Sequence, residues 1–141
     1  MPVVPVADRI VAAVVCAGML AVLCIAASLH PDPAGHGTHE QLGLPPCAFL
    51  AAAGYPCPTC GMTTAFSHAA HLHLVTAFRT HPFGAALALG TAAAFWASLH
   101  VAVFGSRIGR VCGRLLRPVV LWTLAGVWLL SWVYMLSTWR A

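Results

Sequence analysis

Apolar residues in this chain are gathered into three long blocks instead of being spread at amphipathic spacing. The first runs from Ile10 to Leu29, with no charge inside it and Asp8 and Arg9 just ahead. The second follows His81-Pro82 and continues from Phe83 to Phe104, interrupted only by Thr91, Ser98 and His100. The third extends from Pro118 to Trp139 and carries Trp122, Trp128, Trp132, Tyr134 and Trp139 along it. Each block is close to the ~20 residues that a helix needs to cross a hydrocarbon layer of ~30 Å. The pattern therefore predicts an all-α membrane protein of about three transmembrane helices, at about 10–29, 83–104 and 118–139, in one membrane domain. A secretory signal peptide has an apolar core of only about 7–15 residues, so the first block is expected to stay as an anchor.

Between the first two blocks lies a segment, residues 30–81, of different character. It opens as the polar loop His30-Pro-Asp-Pro-Ala-Gly-His-Gly-Thr-His-Glu40, whose proline and glycine content predicts irregular structure. His30, Asp32, His36, His39 and Glu40 form a His-rich tract of the kind that holds metals loosely; a solvated loop explains it more simply. Pro46 to Gly54 is apolar but too short to span, so it is expected as a short interfacial helix.

Composition agrees with a bilayer location. Of 141 residues, 60% are hydrophobic and 7% charged, against about 25% charged in soluble domains. The net charge of +4 comes mainly from arginines, four of which (Arg107, Arg110, Arg114, Arg117) sit in the linker 105–117. Short cytoplasmic loops are enriched in Arg and Lys. That linker and the N-terminus are therefore expected in the cytoplasm, and the segment 30–81 outside it. On a helical wheel the four arginines share a sector of roughly 80°, as in an interfacial amphipathic helix, although ordinary positive-inside charge accounts for them as well. Cys112 in the same linker is an acylation candidate, or simply a cytoplasmic thiol. The charge is explained by topology, so no nucleic-acid partner is indicated. The expected partners are the lipid bilayer and, through small-residue pairs such as Gly84/Ala88 and Gly90/Ala94, other membrane proteins or further copies of the chain.

The most specific feature is Tyr55-Pro-Cys57-Pro-Thr-Cys60-Gly-Met-Thr63-Thr64-Ala-Phe66. Two cysteines two residues apart chelate one ion or close a small disulfide, and a helix opening at the motif would lower the thiol pKa. A helix over Thr59–His71 would align Cys60, Thr64, Ser67, His68 and His71 in one sector of roughly 100°. Such a stripe suits a buried site, or else polar packing between helices.

Cys57-Pro-Thr-Cys60-Gly-Met-Thr63-Thr64-Ala65, followed by Ala77-Phe-Arg-Thr-His-Pro82, resembles the bacterial membrane-protein family catalogued as domain of unknown function 2752. Its pattern is C-P-x-C-G-x-T-R-A and then an N-P pair opening a span, over a region corresponding to Leu44 to Phe104, with an earlier cysteine matched by Cys47. The resemblance implies an integral protein of the bacterial cytoplasmic membrane and singles out Gly61, Thr63 and Pro82 as structural positions. It supplies no activity. Thr64 stands where that pattern has Arg, and His81 where it has Asn.

Two functions are expected from these residues. In the first, Cys47, Cys57 and Cys60, with His68 or His71, make a closed Cys3His site, for which zinc is the natural ion. In the second, Cys57 and Cys60 cycle between thiol and disulfide on the oxidising side of the membrane, with Cys47 exchanging into them. A static Cys57–Cys60 or Cys47–Cys57 disulfide bracing the loop is the simplest alternative. Enzyme chemistry by paired carboxylates has little to work with, since Asp8, Asp32 and Glu40 are the only acidic residues. In the spans, His100 is the one clear ionisable group, and Cys16 and Cys24 are expected to behave as small apolar residues.

Overall fold

A computed structural model describes residues 4–106 and 117–139. The described residues are helical, without strands. Six α-helices follow in order: α1 (Val6–Ser28), α2 (Ala48–Ala53), α3 (Met62–Ala70), α4 (Leu74–Thr80), α5 (Pro82–Phe104) and α6 (Pro118–Thr138), with a short 3₁₀ helix at Thr38–Leu42. Three of them, α1, α5 and α6, are long and apolar enough to cross a membrane. Only 17%, 17% and 11% of their most apolar windows are buried within the chain. The rest of that apolar surface needs lipid or partners, which fits a multi-pass membrane protein. Cys112 and three arginines of the linker wheel, Arg107, Arg110 and Arg114, lie within 107–116, outside the described residues, while Arg117 immediately precedes α6.

The ends of the long helices are matched by specific contacts. At one end Arg9, near the start of α1, donates from Nε and Nη2 to the Ala102 carbonyl at 3.0 and 2.9 Å, and from Nη2 to Val103 at 3.1 Å. These are carbonyls of the last turn of α5, which have no partner inside the helix. At the other end the Ser67 hydroxyl donates to the Leu29 carbonyl just after α1, at 2.6 Å. Trp132 of α6 donates its indole N–H to the Pro56 carbonyl at 3.0 Å. The segment between α1 and α5 therefore caps one end of the three long helices.

The short helices pack on α5, and small residues make that approach close. Ala65 of α3 and Gly84, Ala85 and Ala88 of α5 are all buried. A Cβ added at Gly84 would lie 3.3 Å from the Met62 Cα and 3.4 Å from the Ala65 Cβ. The Gly84/Ala88 pair is thus used within the chain, while Gly90 faces open space.

The helix expected over Thr59–His71 is shorter than its wheel required. It begins only at Met62, because Gly61 precedes it in the left-handed region at φ 79°, and it ends at Ala70. Its exit is a complete Schellman motif: Leu72 N–H bonds the Ala69 carbonyl at 3.0 Å and His73 N–H bonds the His68 carbonyl at 2.9 Å. Leucine occupies the left-handed position at φ 63° that usually falls to glycine. The chain then turns into α4.

Candidate metal centre

The motif is built from consecutive turns. Cys60 N–H bonds the Cys57 carbonyl at 2.9 Å, closing a turn with Pro58 at its second position, where a fixed φ near −65° is favourable. Met62 N–H then bonds the Thr59 carbonyl at 3.1 Å, and Ala65 N–H bonds the Gly61 carbonyl at 2.8 Å, which starts α3. Gly61 is required twice over. Its φ is positive, and a Cβ there would sit 2.6 Å from the Gly35 carbonyl oxygen of the polar loop. No side chain fits that gap.

Cys47 enters from the residue before α2. The Sγ atoms of Cys47, Cys57 and Cys60 all lie within 4.8 Å of one another, with Cys60 buried and the other two half-buried. Around a tetrahedral ion with Zn–S near 2.3 Å, sulfurs stand roughly 3.8 Å apart, whereas a disulfide needs about 2.05 Å. The three thiols are thus close to the spacing of metal ligands. None of the five described cysteines forms a disulfide.

The thiols differ in acidity. Burial, then charge repulsion from the neighbouring Cys57 and Cys47, pushes Cys60 up to about 12. At Cys57 burial also acts upward, but hydrogen bonds from the Thr59 side chain and backbone outweigh it and leave the thiol below its ordinary value. The Thr59 hydroxyl is 3.3 Å from the Cys57 sulfur. The lowering expected from a helix dipole does not apply to Cys60, since α3 begins two residues beyond it. A positive ion would reverse the penalty, because a coordinating thiol is deprotonated outright.

The histidines first paired with these cysteines lie elsewhere. His68 and His71 are at the far end of α3, roughly 10 Å from its start at 1.5 Å per residue, and neither joins the cysteine group. His71 Nδ1 donates to the Ser67 carbonyl at 2.8 Å. The His68 ring meets His73 edge-on at 6.1 Å, and its buried Nδ1 has no hydrogen-bond partner among the described residues. Burial, then the proximity of His73 and His71, pushes the His68 imidazole below its ordinary value.

The rest of the polar stripe fastens the polar loop down. Thr64, fully buried, shares a 2.8 Å hydrogen bond with the Thr38 hydroxyl, which accepts from Asp32 N–H at 3.0 Å. Thr63 is half-buried in the first turn of α3. His81, also fully buried, accepts the Gly84 N–H on Nδ1 at 3.0 Å and donates from Nε2 to the Pro58 carbonyl at 3.2 Å. It caps α5, whose first residue is Pro82, and holds the cysteine turn at the same time. Ser131 of α6 reaches the same Nδ1 at 3.3 Å. Spacing gave no sign of these partners of His81, nor of the Trp132 contact.

A cavity of about 210 Å³ is lined by Cys47 and Cys60 together with His36, His39 and Glu40 of the polar loop. These three belong to the His-rich tract, which the sequence placed near no cysteine.

Residues 47–103 match the family described as "Protein of unknown function (DUF2752)". The match opens at the first cysteine of the cluster and closes near the end of α5, so it contains the whole thiol group and leaves out α1, the polar loop and α6. No curated protein and no solved structure shows significant similarity to the chain.

Proposed function

We propose that the DUF2752 segment at residues 47–103 is a metal-holding module, in which Cys47, Cys57 and Cys60 bind one borderline-soft divalent ion, zinc by its chemistry. The observation that carries this reading is the meeting of three sulfurs within 4.8 Å from two separate stretches of chain. Thiolates select zinc or copper(I) over calcium and magnesium. The charge pattern along the sequence supports a site outside the cytoplasm of a bacterial cytoplasmic membrane. In support, Arg9 reaches the end of α5 opposite the cysteines, and in the sequence four of the other six basic residues belong to the linker 105–117 that follows that end.

Metal analysis of the protein purified in detergent without chelators, after zinc-supplemented growth, tests it. We expect about one equivalent of zinc per chain, lost in Cys47→Ser, Cys57→Ser and Cys60→Ser alike. Less than about 0.1 equivalent of any transition metal would overturn the reading.

One observation favours a second reading, thiol–disulfide exchange. The half-buried Cys57 is the more acidic thiol and the buried Cys60 the less acidic, as in an attacking and a resolving pair. Cys57 thiolate would attack a partner disulfide and Cys60 would displace the partner, leaving Cys57–Cys60 oxidised and the partner reduced by two electrons. The intact mass from the same preparation separates the two, since a disulfide lowers it by two hydrogens and leaves no metal.

A further inference from the structure

The three sulfurs leave one tetrahedral position to fill, and the cavity beside Cys47 and Cys60 is lined as well by the polar loop, whose ligand atoms lie outside the 4.8 Å sulfur cluster and would close onto an ion as it binds. Cys47 and Cys60 line it together with His36, His39 and Glu40. At about 210 Å³ the space far exceeds the 10–15 Å³ or so that a single water requires. Three donors therefore border it, and chemistry separates them.

Three thiolates around a divalent ion already carry about one net negative charge; Glu40 would add a second, while a neutral imidazole adds none. In a half-buried site against a membrane the extra charge is costly. Of the two imidazoles, His36 packs its ring against Trp139 with centroids 5.2 Å apart. His39 is held differently: its Nε2 is 3.2 Å from the Pro45 carbonyl. A carbonyl only accepts, so Nε2 carries the proton of the neutral ring and Nδ1 carries the lone pair. A ring N–H anchored to a backbone carbonyl is the usual arrangement of a metal-bound histidine. Pro45 lies two residues before Cys47, so one short stretch orients both side chains.

We propose that His39 Nδ1 is the fourth ligand of the cysteine centre, making a closed Cys3His site for a tetrahedral divalent ion. The assignment rests on the metal-holding reading above. It also gives the polar loop a role. The loop is already tied to α3 through Thr38–Thr64 and the Gly35–Gly61 contact, and a bond from His39 would lock it across the cysteines. Metal occupancy would then set the order of the outer loop as well as that of the motif.

The test uses the full-length protein in detergent, loaded with cobalt(II) as a spectroscopic stand-in for zinc and with zinc itself against a chromophoric chelator. His39→Ala should weaken zinc binding at least about tenfold and shift the cobalt ligand-field bands as nitrogen gives way to water. His39→Cys should restore tight binding and raise the sulfur-to-cobalt charge-transfer band by about one third, from three thiolates to four. His36→Ala, His68→Ala and His71→Ala should leave affinity within about twofold. Unchanged affinity and cobalt spectra in His39→Ala, or no gain of charge-transfer intensity in His39→Cys, would overturn the assignment and leave the three-cysteine site standing. Absence of any metal on the unsubstituted protein would overturn both.

Discussion

Along α6 only 11% of the most apolar window is buried within the chain, whereas Thr38, Thr64, Ser67 and His81 at the ends of the long helices have no exposed surface at all. Each of these four is hydrogen-bonded, Thr38 to Thr64, Ser67 to the Leu29 carbonyl and His81 to Pro58 and Gly84. The long helices satisfy their backbone internally and leave side chains to lipid, so many apolar sequences would serve equally well. The segment between α1 and α5 has no such freedom. Its backbone is irregular, it buries polar groups, and each of those needs one particular partner. Specificity in this chain is therefore concentrated in the segment with the fewest regular elements.

Glycine gives the sharpest way to break that contrast. Gly61→Ala puts a Cβ 2.6 Å from a backbone oxygen, at a positive φ. We expect a loss of at least about 3 kcal/mol, from strain and displacement of the Gly35 loop together. Gly90→Ala in α5 meets nothing within 4 Å and should change stability by no more than about 1 kcal/mol, towards stabilisation. Tryptophan-fluorescence melts of the two variants in one detergent make the comparison. Equal effects would show that the segment between α1 and α5 is no more demanding than a long helix.

The two regions also differed in how far the chain pattern could be read. The spans were readable to within a few residues, Pro82–Phe104 and Pro118–Thr138 against about 83–104 and 118–139, because hydrocarbon thickness imposes one length and one polarity on every crossing segment. The meeting of Cys57 with Cys60 was readable from their separation. That Cys47 would join them depended on a family resemblance. The break of α3 at Gly61 and Leu72 is not legible in the pattern because a helical wheel assumes continuity, and the wheel groups His68 and His71 with Cys60 although neither joins the three sulfurs. Loop return decides that question, and no periodicity reports where a Pro- and Gly-rich loop comes back.

A smaller effect probes how the two regions are joined. At the place where the resemblance has asparagine, His81 offers one acceptor and one donor, as an amide does, and uses them on Gly84 and Pro58. Burial pushes its imidazole below the ordinary 6.5, while hydrogen bonding to the Pro58 carbonyl pulls it partly back. The folded chain thus binds this proton less readily than the unfolded one. The contribution is fully present above about pH 6.5 and is lost as pH falls through the lowered folded value. His68 is shifted in the same direction and adds to the trend. Between about pH 7.5 and 5.5 the melting temperature should fall, and His81→Asn should remove roughly half of that fall while His68→Gln removes less. A pH dependence untouched by His81→Asn would place the coupling elsewhere.

The smallest expected change concerns Leu72, the one described non-glycine residue at positive φ, where it is 83% exposed. A left-handed leucine costs about 1–2 kcal/mol, and no packing inside the chain offsets it. Leu72→Gly should relieve the strain and lose part of the gain to the greater freedom of unfolded glycine, for a net stabilisation of about 0.5–1 kcal/mol. In detergent this is a rise of a few degrees. The bilayer supplies the contrast: if Leu72 dips into the interfacial layer beside the exposed Leu74, Val75 and Phe78, removing its side chain also costs burial in lipid, up to about 1.5–3 kcal/mol for a fully inserted leucine. The same substitution would then lower stability in lipid nanodiscs. A rise in both media means that α4 and its entry turn stand clear of the lipid, and a reversal between them means that the strained leucine is kept as an anchor.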